Sequence, residues 1–138
     1  MALKETLCLI DTNVFLAVTD PKDALCERAK QTLDSLKEKQ KSLILLTPVI
    51  EEMVTFLFYK QRGELAKAFI DSAYQDPSIV VRDVDACTLR QVFALASRHA
   101  YRPKISLTDW VLLYHALNWK VGLVTFDKQL YTIWKKLA

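Results

Sequence analysis

Short apolar runs alternate along the chain with longer stretches in which apolar residues recur every three or four positions. Leu7-Cys8-Leu9-Ile10 is continuously apolar and stops at Asp11-Thr12-Asn13. A run this short, with no polar alternation, suits a strand buried on both faces of a parallel sheet. Leu43-Ile44-Leu45-Leu46 reads the same way, as does the β-branched Ile79-Val80-Val81. Gly122-Leu123-Val124-Thr125-Phe126 gives a fourth strand, followed by Asp127.

The intervening stretches read as helices. From Asp23 to Lys39, Leu25, Ala29, Leu33 and Leu36 form one apolar stripe among many charges. Thr47-Pro48 opens a second helix, with Thr as cap and Pro in the first turn; Gly63 is expected to end it near Arg62. A short helix follows from Glu64 to Ser72, then a turn at Asp76-Pro77-Ser78. Asp85 caps a helix carrying Leu89, Val92, Phe93 and Ala96. Arg98 to Lys104 reads as a basic loop containing Pro103. Ser106 or Thr108 then starts a strongly apolar helix that reaches Trp119, and Lys128 to Lys136 forms a terminal helix. Alternating strands and helices predict a three-layer α/β/α sandwich with a mostly parallel central sheet.

Composition narrows the picture. A length of 138 residues suits one domain, spanning residues 1–138, and two glycines with four prolines leave little for flexible linkers. A formal net charge of +3 permits a nucleic-acid partner without demanding one. The apolar run before Asp11 is too short for a signal peptide, and no stretch is long enough to span a bilayer. The three cysteines, Cys8, Cys26 and Cys87, are widely spaced and contain no C-x-x-C pair. That argues against a disulfide framework or a zinc site and points to a reducing cytoplasm.

The candidate chemistry lies in the acids. Asp11 and Asp127 each follow a strand, which places both at the carboxyl edge of the sheet; a turn or helix-cap role is the competing reading. Asp109 shares a helix face with Leu112, Leu113 and Ala116. A carboxylate there needs a partner, a hydrogen bond or a metal, although free N–H groups of a first helical turn would also satisfy it. Glu51 and Glu52 are adjacent on a helix that is apolar nearly all round, so periodicity does not separate them. Crowded carboxylates repel, and a pocket of hard oxygens suits Mg²⁺ or Mn²⁺ rather than zinc. Such ions support phosphodiester hydrolysis. Asn13, Thr108 and Thr125 flank the acids as substrate contacts or supports, with local capping the blander role for each.

These residues resemble the sequence blocks of PIN domains. Leu9-Ile10-Asp11-Thr12-Asn13-Val14-Phe15 is similar to the family's opening strand and Asp-Thr-Asn. Thr47 to Leu57 is similar to the helix that carries one essential Glu. Ser106-Leu107-Thr108-Asp109-Trp110 and Leu123-Val124-Thr125-Phe126-Asp127 resemble the third and fourth blocks. All four occur in family order between Leu7 and Asp127, and the size is similar to VapC-type toxins. The resemblance implies a Mg²⁺- or Mn²⁺-dependent ribonuclease with Asp11, Asp109 and Asp127 as metal-binding acids. It favours Glu52 as the fourth and leaves Glu51 open. Water attacks phosphorus in that family, so no side-chain nucleophile is implied. A homodimer and a cognate antitoxin are implied as partners. Trp110 departs from the pattern, since a small residue is frequent there; that bears on packing or substrate access.

Other signals are weaker. Arg98, His99, Tyr101, Arg102 and Lys104 cluster before the Asp109 helix, and Lys128, Lys135, Lys136 and Trp134 sit at the far end of the chain. Phosphate binding and ordinary solvated charge are the two readings for both groups. No nucleophile elbow, phosphate loop or dinucleotide fingerprint is present. A phosphoacceptor receiver needs an acidic pair after the first strand, and an aspartate phosphatase needs Asp-x-Asp. Asp11-Thr12-Asn13 fits neither. An RNA-binding or RNA-processing module of the same fold, with weak or no nuclease activity, is the alternative to an active enzyme.

Overall fold

The computed structural model describes residues 6–102 and 104–138, so the first five residues and Pro103 of the basic loop lie outside it. Four strands form one sheet: β1 (Leu7–Ile10), β2 (Ser42–Leu46), β3 (Ile79–Arg82) and β4 (Gly122–Val124). Their order is β3-β2-β1-β4, and every pairing is parallel. Leu9 lies opposite Ile44 on one side and Leu123 on the other. The helices are α1 (Thr12–Thr19), α2 (Cys26–Glu38), α3 (Thr47–Tyr59), α4 (Gly63–Gln75), α5 (Ala86–Arg98), α6 (Leu107–Trp119) and α7 (Lys128–Leu137).

Leu9, Ile10, Leu45 and Leu46 are consecutive pairs along two strands, and all four are fully buried. Neighbouring strand residues face opposite ways, so helices must cover both faces of the sheet, as the three-layer reading requires. Helix α6 buries Trp110, Val111, Leu112, Leu113, His115 and Ala116, which leaves it apolar on most of its surface. Burial of Val111, Leu112 and Leu113 contributes about 1.5–3 kcal/mol each.

Some expectations need correction. Residues 12–19 form α1, which the apolar pattern did not announce. Val14, Phe15 and Ala17 are buried and Leu16 and Val18 half-buried, so no polar stripe marks the helical period. Thr47 does not cap α3. Leu46 holds the cap position, and Thr47 Oγ1 instead accepts from the Val84 N–H at 3.3 Å. Gly63 begins α4 rather than ending α3. The turn after α3 falls to Gln61, at φ 56, with Arg62 N–H donating to Leu57 O and Gln61 N–H to Phe58 O. Strand β4 stops at Val124, two residues short of the expected Phe126. Asp85 and Ser106 do cap their helices, accepting from the Thr88 and Asp109 N–H groups at 2.7 and 3.1 Å.

The topology locates a site. From β1 the chain winds outward through β2 to β3, then returns to place β4 on the other side of β1. The crevice at such a reversal, outside the carboxyl ends of the strands, is where open α/β sheets bind ligands. Asp11 leaves β1 at that crevice, and its N–H donates to Val124 O of β4 at 2.9 Å.

Candidate metal centre

Three of the acids singled out in the sequence sit at helix N-termini. Asp11 is the N-cap of α1; its Oδ1 accepts from the Thr12 N–H at 2.7 Å. Asp127 is the N-cap of α7 and accepts from the Gln129 and Leu130 N–H groups at 2.9 and 3.2 Å. Asp109 lies in the first turn of α6. Its Oδ2 closes a capping box with the Ser106 N–H at 3.4 Å. The capping reading therefore holds for all three, and helix N-termini favour their negative charge.

Asp11 is the hub of these charges: Glu52 and Asp127 act on it, and Asp109 feels both Asp11 and Asp127. Asp11 is 4% exposed, and burial raises its carboxyl above the ordinary range. Hydrogen bonds from Thr125 and Thr12 oppose that rise, while Glu52 and Asp127 add repulsion. Asp109 is pushed up to about 6, by burial first and then by Asp11 and Asp127, against the pull of Ser106. Glu52 is the one of the two adjacent glutamates found among the charges that act on Asp11, in line with the preference that the family resemblance implies and that periodicity alone does not supply. Both glutamates are exposed on α3. They line a groove of about 680 Å³ with Thr47, Thr55, Phe56, Tyr59, Leu107 and Thr108.

Thr125 ties the crevice together. Its hydroxyl donates to Asp11 Oδ2 at 2.6 Å and accepts from the Asp127 N–H at 3.0 Å. Asn13 reaches across as well. Its Oδ1 accepts from the Phe126 N–H at 3.2 Å and its Nδ2 donates to Thr125 Oγ1 at 3.5 Å. Local capping thus describes only part of Thr125 and none of the Asn13 side-chain bonds. Thr108 lines the groove beside Glu52.

Among the described residues, the ion pairs are Lys37–Asp76, Arg62–Glu64 and Lys67–Asp71, so no basic side chain neutralises the four acids. Oxygen donors held in mutual repulsion fit a hard divalent cation. As the side chains stand, no three acidic, histidine or cysteine groups among the described residues enclose an ion. Asp109 and Asp127 each turn an oxygen to a helix cap, and Glu52 extends into solvent. Thr12 Oγ1, one residue from Asp11, is buried with no hydrogen-bond partner among the described residues.

One neighbour escaped the sequence reading. The Arg28 guanidinium lies 4.5 Å from the Phe126 ring centroid, which brings a cation from α2 beside the loop that carries Asp127. Nothing in the local pattern of α2 signals that tertiary contact. Trp110 is buried and stacks near His99, with ring centroids 6.1 Å apart, so its bulk serves packing. Cys8 and Cys26 are buried and Cys87 exposed, all as free thiols.

The PIN domain family matches the chain over residues 8–136. No curated protein matches it in sequence. In structure it is similar to VapC20 of Mycobacterium tuberculosis, a toxin that cleaves the sarcin-ricin loop. The TM-score is 0.79 at 20% identity, covering 91% of this chain and 94% of that one. FitAcB from Neisseria gonorrhoeae is similar at a TM-score of 0.63 and 20% identity, covering 93% of each chain.

Proposed function

The chain belongs to the PIN-domain family, and from that premise we propose that it is a Mg²⁺- or Mn²⁺-dependent endoribonuclease, the toxin of a type II toxin–antitoxin pair. Asp11, Glu52, Asp109 and Asp127 hold the metal in this reading. The observation that carries it is the electrostatic one. Asp11 and Asp109 are each raised by burial and by neighbouring acids, and among the described residues neither takes part in an ion pair.

A divalent ion in the crevice supplies the positive charge that activates water and stabilises the leaving oxygen. The chain's own residues do the positioning. Thr125 fixes the rotamer of Asp11. Asn13 braces the loop that presents Asp127. Asp109, raised to about 6 by burial and then by Asp11 and Asp127, would offer a carboxylate to a metal above that pH and be protonated below it.

The toxin assignment is supported by the likeness to VapC20. A cognate antitoxin and a second copy of the chain are the proposed protein partners. The exposed aromatics Phe56, Phe58 and Tyr59 on α3 support a covered face. A cytoplasmic location agrees with three free cysteines and with the lack, among the described residues, of a helix able to cross a membrane. The alternative, an RNA-binding or RNA-processing module with weak or no nuclease activity, draws on the open spacing of the acids.

Cleavage of a panel of labelled RNAs separates the two. Wild type is expected to cut at least one RNA with Mg²⁺ or Mn²⁺ and none with a chelator. Asp11→Asn is expected to lose about two to three orders of magnitude in rate, the scale of removing one electrostatic group from an active site. Equal behaviour of wild type and variant on every RNA would support the binding module.

A further inference from the structure

Two basic segments far apart in sequence converge on one groove. His99 and Arg102 come from the end of α5 and the loop after it, Lys128 and Lys136 from α7, and Trp110 from α6. The groove measures about 630 Å³, and no carboxylate lines it. Arg102, Lys128 and Lys136 are exposed, and none takes part in an ion pair among the described residues. Lys128 is placed against the helix dipole, in the first turn of α7, where a cation is disfavoured. Convergent cations without a protein counter-charge repel one another and favour an external polyanion.

The groove also borders the acids. Trp110 follows Asp109 in the chain and Lys128 follows Asp127, so the cationic wall begins one residue beyond two of the four carboxylates. A second groove, which Glu52 and the Asp109 neighbour Thr108 line, is walled by Thr55, Phe56, Tyr59 and Leu107, and no lysine or arginine among the described residues lines it. The crevice is thus flanked by unlike surfaces, one cationic and one largely apolar and aromatic.

We infer that the Arg102–Lys128–Lys136 groove binds the phosphates of a single RNA strand on one side of the cut site and thereby fixes its direction across the carboxylates. This rests on RNA being the ligand, as proposed above. Each phosphate contact made by these cations releases condensed counterions, so binding weakens with salt.

The test is the salt dependence of binding of a labelled single-stranded oligoribonucleotide, measured in chelator so that the strand stays intact. The variant carries Arg102→Gln, Lys128→Gln and Lys136→Gln. The control removes the same charge at Lys22, Lys30 and Lys39, exposed residues that do not line the groove. The slope of log affinity against log salt is expected to fall by about 2 in the variant, at about 0.7 per lost contact. The control should keep the wild-type slope. Equal slopes for wild type and variant overturn the inference, as does a wild type that binds no RNA. Metal-dependent cleavage with an unchanged slope would remove the groove and leave the nuclease. Groove-dependent binding by a wild type that never cleaves would remove the nuclease and leave the groove.

Discussion

Asp109 is held in two ways that oppose each other. Ser106 favours its charged form through the capping box, while burial and the charges of Asp11 and Asp127 disfavour it, and the balance stands at about 6. A carboxyl raised above its unfolded value binds its proton more tightly in the native state. Its contribution is therefore full in acid and is lost as pH rises from about 4 to about 6. Asp109→Asn keeps an oxygen for the cap and removes the charge. The metal-free variant is expected to melt a few degrees above wild type at neutral pH, with the gap closing below about pH 4. Mg²⁺ should stabilise wild type and not the variant. Melting curves across pH, with and without metal, check this; a variant no more stable at neutral pH would show that Asp109 carries no such burden. From the chain alone, capping and metal binding compete as readings of Asp109; the structure shows the capping box, and the same helix N-terminus faces the strand-end crevice in which the metal is proposed.

At the scale of elements, the β1–α1 and β4–α7 junctions form one unit. Thr125, Asn13 and the backbone of Phe126 and Asp127 join chain segments more than a hundred residues apart. Thr125→Val keeps the shape and removes the hydroxyl. Asp11 Oδ2 then loses its donor, and the Asp127 N–H loses its acceptor. The expected cost is about 2 kcal/mol, since hydrogen bonds to charged groups are the stronger kind. Denaturant unfolding checks it, and a loss within error would show the bonds to be idle. That stitching was illegible beforehand, because a threonine's partner a hundred residues away leaves no local mark. Helix α1 was missed for a related reason. Val14 to Val18 is apolar without a break, so the period of a helix has no polar side against which to register. The end of α3 was misread because Gly63 is the usual signal for a left-handed residue, whereas Gln61 adopts that conformation at a strain of about 1–2 kcal/mol.

For the whole molecule, the alternation of strands and helices carries the three-layer sandwich, because the central strands β1 and β2 are buried on both faces and read as plain apolar runs. Strand order did not follow from that pattern. Parallel neighbours are chosen by crossovers, and the return of β4 beside β1 is a property of the assembled chain. That return brings Asp127 to Asp11, so the site is a consequence of topology as much as of residue type.

The central claim is that Asp11, Glu52, Asp109 and Asp127 together hold a divalent ion. Mn²⁺ titration of the metal-free protein tests it most directly, with Asp11→Asn, Glu52→Gln, Asp109→Asn and Asp127→Asn measured beside wild type. Glu51→Gln serves as the neighbouring control, since Glu52 is the adjacent glutamate whose charge acts on Asp11. Each of the four is expected to weaken binding by about tenfold or more, the scale on which even supporting residues matter, and Glu51→Gln to leave it unchanged. Wild-type affinity in all four variants, or a loss at Glu51 with none at Glu52, would contradict the account.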